Sequence, residues 1–198
     1  INLANNNSLA NITALPSSVS GGAMTLLATQ TASGSANLSF TSGIDDTYDS
    51  YVFKFYNIHP ATNGTFFQFN MSTDSGSNYN VAKTTTAFYA YHTESGSASA
   101  LTYDAGQDLA QGTGFQNLLY AISSDNDSAG SGELSIYSPS SDTFVKHFLA
   151  TSNTAATTPY TINFRYAGYG NTTSAVNAIR FQMSSGNFDG VIKLYGVS

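Results

Sequence analysis

The sequence predicts an all-β chain that folds as an antiparallel two-sheet β-sandwich of the jelly-roll type, with an extended N-terminal arm. Charged residues make up only 9% of the 198 residues, so the helix formers Glu, Lys and Arg are scarce. Short runs rich in Phe, Tyr, Val and Thr alternate with clusters of Gly, Ser, Asn and Asp, a pattern typical of strands joined by turns. No segment shows a convincing 3.6-residue apolar period.

The arm is predicted over residues 1–22 and the β-sandwich head over 23–198. About eleven short strands with turn-rich connections favour a jelly-roll sandwich, and the lack of a repeat of fixed period disfavours propellers and solenoids. The strands are predicted near residues 24–30, 35–41, 50–58, 65–72, 79–92, 115–123, 133–138, 143–151, 160–167, 176–183 and 190–196.

The arm has sparse apolar residues in a polar string. They are Leu3, Leu9, Ile12, Leu15 and Val19, too few for a core but well spaced for docking on a neighbour. Pro16 disfavours helix before it, and Gly21 and Gly22 provide a hinge to the head. We expect an assembly arm; an ordinary strand packed on its own domain is the alternative.

Two of the predicted strands have distinct apolar patterns. In "YVFKFYNIH", Tyr51, Phe53 and Phe55 share one face while Val52, Tyr56 and Ile58 share the other, so both faces should be covered, within the sandwich or at a subunit interface. In "IRFQM", Ile179, Phe181 and Met183 point one way, and the two polar residues point the other way. The second pattern predicts a half-buried strand.

Composition narrows the possible partners. The net charge is −6, with six scattered Lys and Arg residues, whereas nucleic-acid binding needs clustered basic residues. Cysteine is absent, which excludes disulfides and thiolate chemistry. No apolar run approaches the length of a membrane span. We therefore expect neither nucleic-acid binding nor membrane insertion.

The search for catalytic and metal-binding motifs finds no strong candidate. No phosphate loop, nucleophile elbow or zinc motif is present. His59, His92 and His147 are far apart in sequence, so we expect ordinary strand residues rather than a cluster. A Ser-His-Asp triad or a carboxylate pair for glycan hydrolysis stays open as a minor alternative. We expect no enzymatic activity, no cofactor and no metal site.

Two acidic turns are candidates for a bound cation. "SSDNDSAGSG" places Asp125 and Asp127 at calcium-loop spacing, but Ala129 and Ile136 occupy later ligand positions, so the match fails and a hairpin loop is expected. "TSGIDDTYDS" clusters three carboxylates ahead of a strand, namely those of Asp45, Asp46 and Asp49. A solvated loop is the expected form, with a bound cation as the alternative.

The stretch "STDSGSNY", from Ser72 to Tyr79, resembles the Asp-box pattern Ser-x-Asp-x-Gly-x-Thr-Trp, with Asn78 and Tyr79 in place of the last two residues. The Asp74 carboxylate can accept backbone N–H bonds, and Gly76 can take a positive φ. The stretch predicts a β-hairpin turn. Asp boxes in glycan-active proteins usually lie away from the active site.

Tyrosine provides the binding-site candidates. The chain has 13 Tyr and 13 Phe residues, and Tyr is a typical contact residue at interfaces. In "AFYAYH", Tyr89 and Tyr91 share one strand face and could form a platform on which a glycan ring stacks; core or oligomer contact is the alternative. In "RYAGYGNTTS", Tyr166 and Tyr169 adjoin a Gly-rich turn that is either a binding loop or a tight corner.

Five stretches carry a resemblance to a known family: "MTLLATQTASGSANLSFTSGIDDTYDSYVFKFYNIHPATNGTFFQFNMSTDSGSNYNVAKTTT", "SSDNDSAGSGELSIYSPSS", "TFVKHF", "AGYGNTTSAVNAIRFQMSSGN" and "GVIKLYGVS". They resemble virion structural proteins of aquatic tailed bacteriophages, described as tail-fibre-like or capsid-decorating. The likeness covers nearly everything from Met24 onward. It implies that "SLANITALPSSV" joins an anchoring part to a β head, and it brings no catalytic residues.

The resemblance implies a non-enzymatic virion structural protein at the virion surface, either capsid decoration or a tail-fibre head. The expected partners are further copies of the chain in a homotrimer and other virion proteins of the capsid or tail. The alternative is a receptor-binding or carbohydrate-binding module at a fibre tip, with host surface glycan as its partner. A glycan-degrading enzyme is the third and least favoured hypothesis.

Overall fold

This is a computed structural model, and the structure describes residues 24–198. The predicted arm residues Leu3, Leu9, Ile12, Leu15 and Val19 lie outside the described residues. Residues 24–198 form twelve strands and one short 3₁₀ helix, Ala105–Gln107. The strands are β1 Thr25–Ser35, β2 Asn37–Phe40, β3 Ser50–Pro60, β4 Thr65–Ser72, β5 Lys83–Thr93, β6 Ser99–Tyr103, β7 Gln116–Ile122, β8 Gly130–Tyr137, β9 Lys146–Ala155, β10 Tyr160–Gly170, β11 Ala178–Met183 and β12 Phe188–Val197.

The strands form two antiparallel sheets of unequal width. The large sheet has eight strands in the order β1-β12-β3-β8-β9-β10-β5-β6, and the small sheet has four in the order β2-β11-β4-β7. Their apolar faces enclose a single core of aromatic and aliphatic side chains. The predicted all-β, two-sheet sandwich is confirmed. Over the described residues, no helix has the length and hydropathy required to cross a membrane.

The chain crosses repeatedly between the sheets. β4 belongs to the small sheet and β5 to the large one, and likewise β7 is in the small sheet and β8 in the large one. The connections 73–82 and 123–129 therefore bridge the sandwich, and the hairpins predicted at "STDSGSNY" and "SSDNDSAGSG" are wrong. The turn residues do mark reversals of chain direction, but they do not determine which sheet the next strand joins.

The centre of the core is a group of phenylalanines. The Phe181 ring lies 5.2 Å from the ring centroid of Phe53, 5.6 Å from that of Phe67 and 6.1 Å from that of Phe40. Ile179, Phe181 and Met183 are buried, while the intervening polar residues of β11 are half-buried. The half-buried pattern predicted for "IRFQM" is confirmed.

A bulge changes the faces of β3. Tyr51, Phe53 and Phe55 are buried as expected, but Asn57 adopts φ +49° and the pairing with β8 shifts between Phe55 and Ile58. The extra residue reverses the alternation. Ile58 therefore enters the core, while Tyr56 remains 40% exposed. The prediction that Tyr56 and Ile58 share one covered face is wrong.

The sequence pattern missed β6. The predicted strand 79–92 is in fact a connection up to residue 82, followed by β5, and β6 pairs with β5 from Phe88 to His92. Every residue of β6 is exposed, so "SALTY" has no alternation of buried and polar residues to reveal it. β6 is one edge of the large sheet, and β1 is the other.

The large sheet extends beyond the small one at the β6 side. β7, the last strand of the small sheet, packs against β9 and β10, so the inner face of β5 lies past its edge. Residues 104–112 lie beside the first half of β5 and are joined to it by backbone hydrogen bonds. These bonds run from the Asp104 N–H to the Ala87 carbonyl, from the Thr85 N–H to the Leu109 carbonyl and from the Lys83 N–H to the Gly112 carbonyl. Gln116 then accepts a hydrogen bond from Thr85 and begins β7. This connection closes one half of the overhang, and the half from Tyr89 to Thr93 stays open.

Candidate ligand-binding site

The open half of the overhang is a cleft of about 330 Å³. We call it the tyrosine cleft because four tyrosines line it: Tyr89 and Tyr91 of β5, Tyr160 of β10 and Tyr120 of β7. The remaining lining residues are also uncharged: Thr93, Ala98, Thr158 and Ile162. A concave, mainly apolar site with a few polar groups is the usual form of a small-ligand site.

Strand alternation places three of the tyrosines. The odd-numbered residues of β5 face the interior of the sandwich, so Tyr89 and Tyr91 project on the same side, with ring centroids 6.1 Å apart. Tyr160 comes from the neighbouring strand, where it pairs with Thr93. Its ring lies 5.5 Å from that of Tyr91. The diagonal neighbours across a strand pair are close enough for aromatic contact.

The fourth tyrosine comes from the opposite sheet. The Tyr120 ring stacks on Phe164 at 5.3 Å, and Phe164 is also 4.9 Å from Tyr89. Phe66 meets the Tyr120 ring edge-on at 5.2 Å. Phe164 is buried, so it connects the half-buried tyrosines of the cleft to the core. The rings of the cleft therefore rest on packed aromatic side chains.

The tyrosine hydroxyls supply the polar groups of the cleft. Burial raises the pKa of Tyr89 and of Tyr160, and the Asp104 carboxylate further raises that of Tyr89. Both phenols therefore remain protonated at neutral pH and can donate as well as accept hydrogen bonds. The chemistry of the site combines ring faces with neutral hydroxyls.

Sequence reasoning found half of this site. Tyr89 and Tyr91, proposed as a stacking platform, lie in the tyrosine cleft on one face, as alternation predicts; their role in binding glycan stays a prediction. Tyr120 and Tyr160 were missed. No local signal marks them, because only the strand order, with β10 beside β5 and β7 across the sandwich, brings them together.

The histidines are not brought together. The ring of His59 bonds to the Ser128 carbonyl at 2.7 Å, that of His147 lies edge-on to Tyr169 at 6.0 Å, and His92 is exposed near the end of β5. Over residues 24–198, no group of three or more His, Asp or Glu side chains is arranged to hold a metal ion.

The acidic turn at Asp45, Asp46 and Asp49 is held by its own hydrogen bonds. The Asp45 carboxylate accepts from the Thr47 N–H and from the Tyr51 hydroxyl, both at 2.9 Å. These bonds lower the pKa of Asp45. The hydrogen-bonding pattern supports a structural role for Asp45. In the other acidic turn, the Asp125 carbonyl accepts the Ser128 N–H at 2.8 Å.

The Asp-box-like turn is built around Asp74. Its carboxylate accepts from the Ser72 hydroxyl at 2.7 Å, from the Asn78 N–H at 2.8 Å and from the Asn78 side chain at 2.7 Å. These bonds lower the pKa of Asp74 to about 2. Gly76 takes φ +89°, as the pattern predicts. The turn is part of the connection from the small sheet to the large one, and none of its residues lines the tyrosine cleft.

The other tyrosine pair does not form a binding loop. Tyr166 and Tyr169 both lie within β10. Tyr166 is buried and stacks on Phe164 at 5.1 Å, whereas Tyr169 lies on the outer face beside His147. The two rings therefore point to opposite sides of the large sheet.

Fold and site together define an all-β sandwich protein with an open aromatic cleft at the edge of its wider sheet. No family model, curated protein or solved structure matches the chain. The functional argument therefore depends on the geometry and chemistry of the cleft.

Proposed function

We propose that the protein is a non-enzymatic structural protein of a phage virion whose β head binds a neutral host-surface glycan in the tyrosine cleft. The observation that carries the binding proposal is the convergence of Tyr89, Tyr91, Tyr120 and Tyr160 around one open hollow of about 330 Å³. The virion assignment depends on the resemblance of the sequence stretches. The two parts have separate tests.

Carbohydrate fits the chemistry of the cleft. A pyranose ring has an apolar C–H face that packs on an aromatic ring, and hydroxyls around its rim that exchange hydrogen bonds with neutral donors and acceptors. Tyr89 and Tyr91 supply two adjacent, tilted ring faces, and the phenols and threonines around them supply the hydroxyl partners. The same site therefore offers partners for both the apolar C–H face and the hydroxyls of a sugar ring.

The charge distribution favours a neutral glycan over an acidic one. The lining carries no charged side chain, the Asp104 carboxylate acts on Tyr89, and the chain has a net charge of −6. An anionic sugar would enter this negative field with no Lys or Arg in the lining to pair with it.

Binding without catalysis is supported by the same lining. Glycoside hydrolysis uses a pair of Asp or Glu carboxyl groups flanking the scissile bond, and the residues lining the tyrosine cleft are Tyr, Thr, Ala and Ile. Such a surface can hold a sugar, but it offers no general acid or base for cleaving one.

The jelly-roll topology is part of the proposal, and the strand order supports it. Without β9, β10, β5 and β6, the sheets have the orders β1-β12-β3-β8 and β2-β11-β4-β7. In each sheet the first strand lies beside the last one, β1 beside β12 and β2 beside β11. Successive strands of the eight change sheets at every step except from β4 to β7, which are neighbours in the small sheet, as two interlocked Greek keys require. β5–β6 and β9–β10 are then additions that widen one sheet and create the overhang.

Within a virion, the tyrosine cleft favours the receptor-binding head of a tail fibre over capsid decoration, because decoration needs no ligand site. We place the head on the virion surface as a homotrimer joined through residues 1–22, with other virion proteins as its neighbours. Three copies would gain avidity from individually weak sugar contacts.

Glycan binding is tested by titrating the protein with methyl glycosides of glucose, galactose, mannose and N-acetylglucosamine. NMR spectra of the tyrosine resonances monitor each titration. We expect at least one to shift the resonances of Tyr89 and Tyr91, and Tyr91→Ala to abolish the effect. Tyr137→Ala is the matched control, since Tyr137 is a tyrosine 42% exposed on the same sheet but outside the cleft. Failure of every methyl glycoside to bind would contradict the binding proposal.

The virion assignment is tested by labelling purified phage particles with an antibody to the head. Labelling at a fibre tip supports the proposal, and labelling spread over the capsid supports decoration. Light scattering on the full chain and on a chain starting at Ala23 tests the arm. A trimer that dissociates without the arm is expected, and a monomer in both forms would contradict arm-mediated assembly.

A further inference from the structure

A second hollow lies beside the tyrosine cleft, across the rim of the large sheet. Its volume is about 240 Å³, and it is lined by polar side chains that include His92, Glu94, Asn153 and Thr161. Thr93 and Tyr160 line both hollows. The two sites are therefore separated by a single ridge, which we call the Tyr160 ridge, formed by the paired residues Thr93 and Tyr160.

Strand alternation explains why the two hollows differ. Side chains of even-numbered β5 residues and odd-numbered β10 residues face outward, so His92 and Thr161 lie on the outer side of the sheet. The tyrosines face the inner side. A hydrogen bond of 2.9 Å from Glu94 N–H to Pro159 O joins the two strands just past the Thr93–Tyr160 pair. The ridge is therefore short, and both hollows open at the same end of the molecule.

The outer hollow has the groups that bind sugar hydroxyls. It combines a carboxylate acceptor, an imidazole, a carboxamide and threonine hydroxyls. The Asn153 amide nitrogen donates to the Thr161 hydroxyl at 2.8 Å and to the Ile162 carbonyl at 3.3 Å, which fixes the orientation of the carboxamide. Tyr160 is the only tyrosine among its lining residues, so the outer hollow lacks the adjacent pair of ring faces found in the tyrosine cleft.

We infer that the outer hollow is a second sugar subsite, so that the ligand is an oligosaccharide of at least two residues that crosses the Tyr160 ridge. This inference rests on the proposed function of the tyrosine cleft. One sugar stacks on Tyr89 and Tyr91, and the next one along the chain exchanges hydrogen bonds with His92, Glu94 and Asn153. Glu94 accepts from hydroxyls, and its charge selects against an acidic sugar at this position.

The test compares each methyl glycoside of the panel with the corresponding di- and trisaccharides by isothermal titration. A second set of hydrogen bonds should tighten binding of the disaccharide about tenfold relative to the methyl glycoside. His92→Ala and Asn153→Ala should each reduce that gain and leave the affinity for the methyl glycoside unchanged. His147→Ala is the matched control, because His147 is an exposed histidine on the outer face of the same sheet, away from the ridge.

The outcomes separate the two proposals. If no methyl glycoside binds, the proposed function fails, and this inference fails with it, whether or not an oligosaccharide binds. If the methyl glycoside binds at Tyr91 but lengthening brings no gain, the inference alone is overturned. A gain that survives both His92→Ala and Asn153→Ala also overturns it, because the second sugar would then lie elsewhere.

Discussion

Lys83 donates a hydrogen bond of 2.6 Å from its ammonium nitrogen to the side-chain oxygen of Asn70, and both residues are fully buried. The second acceptor of Lys83 is the Val81 carbonyl, at 2.8 Å. The Asn70 amide nitrogen in turn donates to the carbonyls of Tyr79 and Thr113. A lysine thus joins two loops to the core through neutral acceptors, and burial lowers its pKa to about 7.

This buried lysine predicts a rise in stability with pH. In the unfolded chain Lys83 titrates near 10.5, and in the folded protein near 7. Below about pH 7 the Lys83 side chain is charged in the folded and in the unfolded protein, so folding includes the full cost of burying that charge. Above it the folded state loses its proton first, so the free energy of unfolding should rise by up to about 1.4 kcal/mol per pH unit. The rise should end near pH 10, where tyrosines of the unfolded chain ionise.

Urea unfolding across this pH range measures the slope. Lys83→Met should make the slope shallower, with a remainder from Lys146, whose pKa is also lowered by burial. Lys54→Met is the control, since Lys54 is a surface lysine whose nitrogen lies 3.7 Å from Glu133. Equal slopes for the wild type and Lys83→Met would show that the Lys83 proton does not govern the pH dependence.

Gly190 should tolerate no side chain. It has φ +143°, and an added Cβ would lie 2.7 Å from the Ile58 side chain and 3.1 Å from the Asn57 carbonyl, at the bulge that turns Ile58 inward. We expect Gly190→Ala to destabilise the fold by about 2–4 kcal/mol, through backbone strain and overpacking together.

Gly43→Ala separates the two causes. Gly43 also has positive φ, +76°, but apart from its two chain neighbours no residue comes within 4 Å of the position that an added Cβ would take. Only backbone strain of about 1 kcal/mol is therefore expected there. Chemical denaturation of both variants gives the comparison. If Gly190→Ala lowers the free energy of unfolding no more than Gly43→Ala does, the residues at the bulge must shift to make room for the added methyl group.

The phenylalanine group at Phe181 should dominate the stability of the core. Phe181→Ala removes a ring that contacts Phe40, Phe53 and Phe67, and we expect it to cost about 3–5 kcal/mol. Phe144→Ala, at a phenylalanine that is 70% exposed, should change stability by less than about 0.5 kcal/mol. Thermal unfolding of the two variants tests the contrast, and similar losses would contradict the core assignment.

Asp74 should stabilise its turn except in acid. Its pKa is about 2 in the folded protein and 3.8 in the unfolded chain, so its contribution is complete above about pH 4 and disappears as the pH falls towards 2. Asp74→Asn should therefore lower the melting temperature near neutral pH and have less effect near pH 2. Asp127→Asn, at another loop carboxylate, is the control; a pH-independent effect of Asp74→Asn would contradict the assignment.

The sandwich could be predicted because a strand that is buried on one face alternates apolar and polar residues along its own sequence. The alternation around Phe181 and the polar turns between runs are visible in the sequence, and they require no knowledge of partners. The reversal at Asn57 was missed, although Asn is among the residues that accept positive φ and a bulge is the usual result in a strand.

The tyrosine cleft could be predicted only in part. Tyr89 and Tyr91 share a strand, so their common face follows from alternation alone. Tyr120 and Tyr160 come from β7 and β10, and their arrival at the same place depends on strand order and sheet width. These are set by pairings between residues distant in sequence, as is the choice between a hairpin and a crossing after Ser72.

The unequal widths of the two sheets have a consequence for the thermodynamics of binding. The cleft is formed by the uncovered end of a hydrogen-bonded sheet, with its rings resting on Phe164, so its shape exists before any ligand arrives. A preorganised surface of this kind loses little conformational entropy on association. Sequence changes in the turns at 94–98 and 156–159 could then retune selectivity at the rim while the stacking platform stays in place.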